Sequence, residues 1–149
     1  GAVGEDVTAN LRTIRSVPLR LRAPGVRFVP LLKRLVRFVR KSGGSDIRDP
    51  DARPRHPSYD RMPVAAIHEL VRLQRRVRAA LPRVQVPLLV AHGARDRTAH
   101  PDDAREILAR VASREREHLG LEASGHVVPV DRDGPRLPAA VVAFFPRQL

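Results

Sequence analysis

Three features of the sequence predict an α/β fold of parallel strands with flanking helices, preceded by a helical region. The run VPLLVAH at Val86 to His92 is almost unbroken in apolar residues and ends at Gly93, as expected of a strand buried on both faces of a parallel sheet. Downstream of it, helical and extended periods alternate to the end of the chain, which is how a right-handed parallel crossover unit reads. Upstream of Gln85, two amphipathic helical stretches flank a proline-rich connector.

The elements follow in order. From Val26 to Lys41, Phe28, Leu31, Leu32, Leu35, Phe38 and Val39 recur at helical spacing. Lys33, Arg34, Arg37 and Arg40 fall largely elsewhere around that helix, so a basic amphipathic helix is predicted. Pro30 suits its first turn and Ser42-Gly43-Gly44-Ser45 ends it. Such a helix either packs on its own protein, the commoner case, or docks on an anionic membrane surface or a lipid-like substrate. Residues 46–63 hold four prolines and no sustained apolar period, which predicts an extended surface connector. Val64 to Leu81 is a second predicted helix, with Ile67, Leu70, Val71, Gln74, Val77 and Leu81 near one stripe and Pro82 stopping it.

In the last third, Val86 to His92 is the buried strand. Pro101 to Ala112 reads as a helix with Asp102 and Asp103 in the first turn, where the helix dipole favours anions. Glu115 to Glu122 reads as a polar edge strand, and Arg136 to Pro146 as a closing helix carrying Leu137, Val141, Phe144 and Phe145. A strand buried on both faces needs more neighbours than this one partner supplies. With Gly1 at the start and Met62 the one methionine, we expect the chain to be the carboxyl-terminal part of a larger α/β fold, residues 1–85 forming an Arg-rich helical region and 86–149 a strand-helix-strand-helix unit.

Composition narrows the function classes. The 149 residues carry a formal charge of +12, and 19 of the 28 Lys and Arg residues, against 7 of the 16 acids, lie in residues 1–85. That footprint invites a nucleic-acid or anionic-lipid partner. Aromatics make up only 3% of the residues, which leaves little for stacking bases, so nucleic acid is not expected. Zero cysteines exclude disulfides and thiolate catalysis. With no apolar run long enough to span a bilayer, the cytoplasm is the favoured compartment. His56, His68, His100 and His118 lack metal-ligand spacing, and no glycine-rich phosphate loop occurs. No metal or cofactor is expected.

Two loops follow the two predicted strands at their carboxyl ends, where open α/β sheets bind ligands. One holds Gly93-Ala94-Arg95-Asp96 and the other Ser124-Gly125-His126. The residues between Asp96 and His126 fit one helix and one strand, so the chain returns to the same sheet edge and carboxylate and imidazole can meet. A carboxylate that accepts from imidazole Nδ1 fixes the tautomer and stabilises the imidazolium formed when Nε2 takes a proton from a nucleophile. Asp102 competes for the acid role but reads better as a first-turn anion. Asp131 and Asp133 read as turn residues before the last helix.

At these residues the sequence resembles the end of an α/β-hydrolase, and more closely the bacterial carboxylesterase and monoacylglycerol lipase branch. The segments that carry the likeness are VPLLVAHGARDRTAHPDDA and SGHVVPVDRDGPRL, about 60 residues from Val86 to Phe145. The resemblance implies that Asp96 is the acid and His126 the base of a catalytic triad, that residues 1–85 act as a cap over the site, and that no cofactor is needed. The family's serine sits in G-x-S-x-G upstream of the acid. Ser16, Ser42, Ser45, Ser58, Ser113 and Ser124 all lack that pattern, and His92-Gly93 leads into the acid loop instead of forming an oxyanion segment. The resemblance therefore implies a carboxylic-ester hydrolase of the serine esterase or lipase type whose strands and nucleophile elbow before the cap are missing, a chain inactive by itself. The competing classes are another activity of the fold (thioesterase, peptidase or haloperoxidase) and a non-catalytic basic module that binds membrane or nucleic acid. Oligomeric state is not legible.

Overall fold

The computed structural model describes residues 26–41 and 44–145. Expectations that fall on residues 1–25, on Ser42-Gly43 and on Pro146 lie outside the described residues. A 3-10 turn at Val26–Phe28 leads into α1 (Val29–Leu35), with Pro30 in its first turn. The helix is shorter than its apolar period predicted. Val36 turns extended, and Phe38–Arg40 forms β1, antiparallel to β2 (Arg61–Pro63) in the register Phe38↔Pro63, Val39↔Met62 and Arg40↔Arg61. The stretch Val36 to Val39 is β-branched or aromatic at three of four positions, and such side chains favour a pleated strand once a partner offers its backbone.

The connector departs from expectation at its start. Ser45 and Ile47 are buried, and a 3-10 turn at Arg53–Arg55 interrupts the extended path before β2. From β2 the chain enters α2 (Val64–Ala80) directly, and Leu81–Arg83 finishes it as a 3-10 turn around Pro82. Gln74 and Leu81 on the expected stripe are buried, as is Val64 at the helix start, whereas Ile67, Leu70, Val71 and Val77 are half-buried. α1 packs against α2, and Lys33 Nζ meets His68 Nδ1 at 3.1 Å.

β3 (Leu88–Gly93), α3 (Asp102–Arg110), β4 (Arg116–Leu121) and α4 (Arg136–Phe144) follow in the predicted order. β3 and β4 pair in parallel, from Leu88↔Arg116 to Gly93↔Leu121. Five of the six β3 residues are buried while β4 is exposed over its first half, which matches a central strand beside an edge strand. The core lies on one face of this pair: Leu81, Val84, Leu88, Val90, Ala104, Ile107 and Val111 form one buried cluster. Leu88 and Leu121 have no exposed surface. The sheet thus presents the carboxyl ends of β3 and β4 side by side, and the loops that leave them are neighbours. Among the described residues, no helix is long and apolar enough to cross a membrane.

Candidate functional site

Asp96 follows β3 by three residues and His126 follows β4 by five. The two loops are laced by their backbones: Ala94 N–H donates to the Leu121 carbonyl at 2.9 Å and Arg95 N–H to that of Ser124 at 3.0 Å. This approach requires glycine at the end of β3, because a Cβ on Gly93 would stand 2.6 Å from the Ser124 oxygen and closer still to that of Gly125. The lacing brings His126 Nδ1 to 2.9 Å from Asp96 Oδ2. The Asp96 side chain is fully buried and the imidazole is 27% exposed.

The other oxygen of Asp96 is also engaged. Oδ1 accepts the backbone N–H groups of Thr98 at 2.7 Å and Ala99 at 2.8 Å, an Asx turn that fixes the carboxylate's orientation. Burial pushes this carboxyl upward, but the His126 N–H, the nearby His92 ring and the Ala99 N–H prevail and hold it well below the ordinary carboxylate range. Asp96 is therefore an anion that only accepts, so His126 Nδ1 carries the proton in their bond. That tautomer leaves the Nε2 lone pair as the basic site.

His126 is itself held from an unexpected direction. Its backbone N–H donates to the Asp46 carbonyl at 2.9 Å, and a Cβ on Gly125 would lie 2.6 Å from that same oxygen. Asp46 reaches the acid loop too, its Oδ2 accepting the Arg97 N–H at 2.6 Å. The Arg48 guanidinium bonds the carbonyl of Arg95 and Asp46 Oδ1. Beneath both, Asp131 accepts N–H groups from Asp49 at 2.8 Å, Gly125 at 2.7 Å and Arg132 at 2.9 Å, with Arg48 N–H shared between its two oxygens. Asp133 accepts from Ala123 N–H at 2.8 Å and the Ser124 hydroxyl at 3.0 Å, and that hydroxyl accepts Asp133 N–H in return. Burial raises both carboxyls; for Asp131 the backbone N–H groups, and for Asp133 the Ala123 N–H, the Ser124 hydroxyl and Arg136, reverse the sign and leave each lowered.

Asp131 and Asp133 thus do more than shape the turn predicted for them: they anchor the histidine loop, and Asp131 ties it to residues 48–49. Two carboxylates five and seven residues past a loop histidine are the signal the sequence offers for this, whereas nothing in the local sequence marks Asp46. Asp102, the competing acid, contacts His100 at 3.1 Å and Arg105 at 3.2 Å at the exposed start of α3. Among the described residues, no group of three or more His, Asp or Glu side chains is arranged to hold a metal.

Comparison with known proteins agrees with this frame. Residues 48–133, more than half of the chain, match the family described as serine aminopeptidase, S33. The chain belongs to that family. It is 31% identical over 102 residues to the thermostable monoacylglycerol lipase of Bacillus sp. (strain H-257), a match that covers 68% of this chain and 40% of the lipase. The solved structure of a metagenome-derived lipolytic enzyme superposes with a TM-score of 0.79 at 27% identity, over 87% of this chain and 52% of that one. The chain therefore spans about half or less of the length of these relatives, and its fold is part of an α/β-hydrolase. A 25-residue stretch, 17% of the chain, is also 72% identical to a DNA ligase of Shewanella frigidimarina, 4% of that enzyme's length. A stretch so short cannot bury a core of its own.

Proposed function

We propose that this chain supplies the acid and base of a serine carboxylic-ester hydrolase, with Asp96 as the triad acid and His126 as the general base. The observation that carries the reading is the 2.9 Å bond from His126 Nδ1 to a buried, anionic Asp96. In this mechanism His126 Nε2 takes the proton of an attacking serine hydroxyl, Asp96 stabilises the imidazolium, and the same proton passes to the leaving alkoxide. The sequence contains no G-x-S-x-G, so the serine and the oxyanion donors come from outside these residues and the chain alone does not turn over ester.

Acyl lipid is the substrate class the surface favours. Phe28, Leu31, Leu35, Phe38 and Met62 are exposed around α1, β1 and β2, with Lys33, Arg34, Arg37 and Arg40 interleaved. A hollow lined by Phe38, Lys41, Tyr59, Arg61, Met62 and Pro63 opens among them. Apolar side chains ringed by cations suit a peripheral contact with anionic membrane, from which residues 26–41 would act as part of a cap. The two similar lipolytic proteins support esters over peptides, and the family's description as an aminopeptidase makes peptide cleavage the alternative to exclude.

A chimera tests the proposal. Residues 26–149 replace the matching segment of the Bacillus lipase, and circular dichroism establishes that the product is folded. Monoacylglycerol hydrolysis is expected, with a fall of about 10³-fold or more on His126→Ala. A folded chimera that hydrolyses ester equally well with His126→Ala, or that cleaves only peptides, overturns it.

A further inference from the structure

We infer that His92 is a positioning residue for the acid–base pair: it shares Asp96 Oδ2 with His126 and so sets how much of the carboxylate's charge the base receives. The inference rests on the reading of Asp96 and His126 given above and adds a third residue, bearing a second imidazole, to it.

His92 is the penultimate residue of β3, four positions before Asp96, with 4% of its side chain exposed. Its Nε2 stands 3.3 Å from Asp96 Oδ2, the oxygen that His126 contacts at 2.9 Å. The contact is close but lies off the alignment of a full hydrogen bond, and Nδ1 has no hydrogen-bond partner. Two buried ring nitrogens without satisfied bonds cost free energy that an apolar side chain in the same strand position would avoid. The neighbouring strand residues Leu88, Leu89 and Val90 show that the environment accepts apolar groups. What distinguishes position 92 is its reach to Oδ2.

The geometry allows one chemical role. Asp96 Oδ1 is saturated by two backbone N–H groups, so Oδ2 carries the charge available to His126. An anionic acceptor facing Nε2 requires the proton there, which makes His92 a donor. A second donor at one oxygen withdraws charge from it and weakens the first bond. Among the described residues, titratable and charged groups near the pair include Asp96 itself, the Asp46 and Arg48 pair beside the His126 backbone, and His118 on β4, which interacts with His92 and lies near Arg105 and Glu122.

Nitrogen and proton NMR on the full 149-residue chain tests this without any catalytic turnover, so a failure here is separable from a failure of the hydrolase reading. In the wild-type chain, the ¹⁵N spectrum is expected to show the His92 proton on Nε2. A proton on Nδ1 overturns the inference whether or not any variant folds. In His92→Leu the Nδ1–H resonance of His126 is expected to move further downfield, because Oδ2 is no longer shared, and in His92→Gln, which restores a donor, to return toward the wild-type position. An unchanged or upfield resonance in His92→Leu, or equal displacement in both variants, reduces His92 to packing and overturns the proposal.

Discussion

Asp131→Asn is the perturbation that most directly tests how the histidine loop is held. The Asp131 carboxylate accepts backbone N–H groups from Arg48, Asp49, Gly125 and Arg132 at 2.7 to 3.0 Å, and the residue is 4% exposed. Asparagine keeps the shape and one carbonyl oxygen but turns an amide NH₂ toward the donors that faced the second oxygen. With the amide in place of Oδ2, Gly125 N–H loses its acceptor and Arg48 N–H keeps one of two; with it in place of Oδ1, Asp49 and Arg132 N–H lose theirs. At about 1–3 kcal/mol for each buried donor left unmet, and allowing for relaxation, the loss is about 2–4 kcal/mol. For a chain of this length that corresponds to a fall in Tm of roughly 5–15 °C. Thermal unfolding followed by circular dichroism measures it, with Asp102→Asn, at an exposed position, as the control. Amide exchange should localise the effect to Arg48, Asp49 and Gly125. A loss no larger than the control's, or exchange unchanged at those three amides, refutes the claim that Asp131 joins the two segments.

Two further outcomes follow from the same geometry. Gly125→Ala puts a methyl group 2.6 Å from the Asp46 carbonyl, so the bond from His126 N–H to that carbonyl must break; a destabilisation of about 1–3 kcal/mol and loss of the downfield His126 imidazole resonance are expected, and a spectrum like wild type would contradict the tight approach. Asp96, Asp131 and Asp133 all have lowered carboxyl pKa values, so the stability they contribute is fully present above about pH 4 and is lost as pH falls through the lowered folded-state values. Urea midpoints should fall steeply on the acid side, less so in Asp131→Asn, and a flat profile below about pH 4 would refute the assignment.

Legibility in the sequence tracked how local the determining physics was. β3, α3, β4 and α4 are readable because a nearly unbroken apolar run, a first-turn Asp pair, an alternating edge and the apolar set Leu137, Val141, Phe144 and Phe145 each carry their own signal. The closeness of Asp96 to His126 followed from counting one helix and one strand between two loops, since a parallel crossover returns the chain to the same edge. Phe38 and Val39 misled because their spacing fits a helix equally well; the partner that draws them into a strand, Arg61–Pro63, lies about twenty residues away. Asp46 was invisible for the same reason at larger scale. Its bonds to His126 and Arg97 reach 80 and 51 positions on, and a polar residue in a proline-rich stretch gives no sign of them. The sequence shows His92 only as half of a His-Gly dipeptide leading into the acid loop, because strand alternation hides which face meets that loop.

The clamp made by Asp46, Arg48 and Asp49 has a bearing on how this protein could be dissected. A piece beginning at the first residue of β3 would retain acid, base, β3 and β4, and yet the His126 backbone would lose its bond to the Asp46 carbonyl and Asp131 two of its donors. The smallest unit that keeps every bond to the base's backbone therefore starts ahead of Asp46.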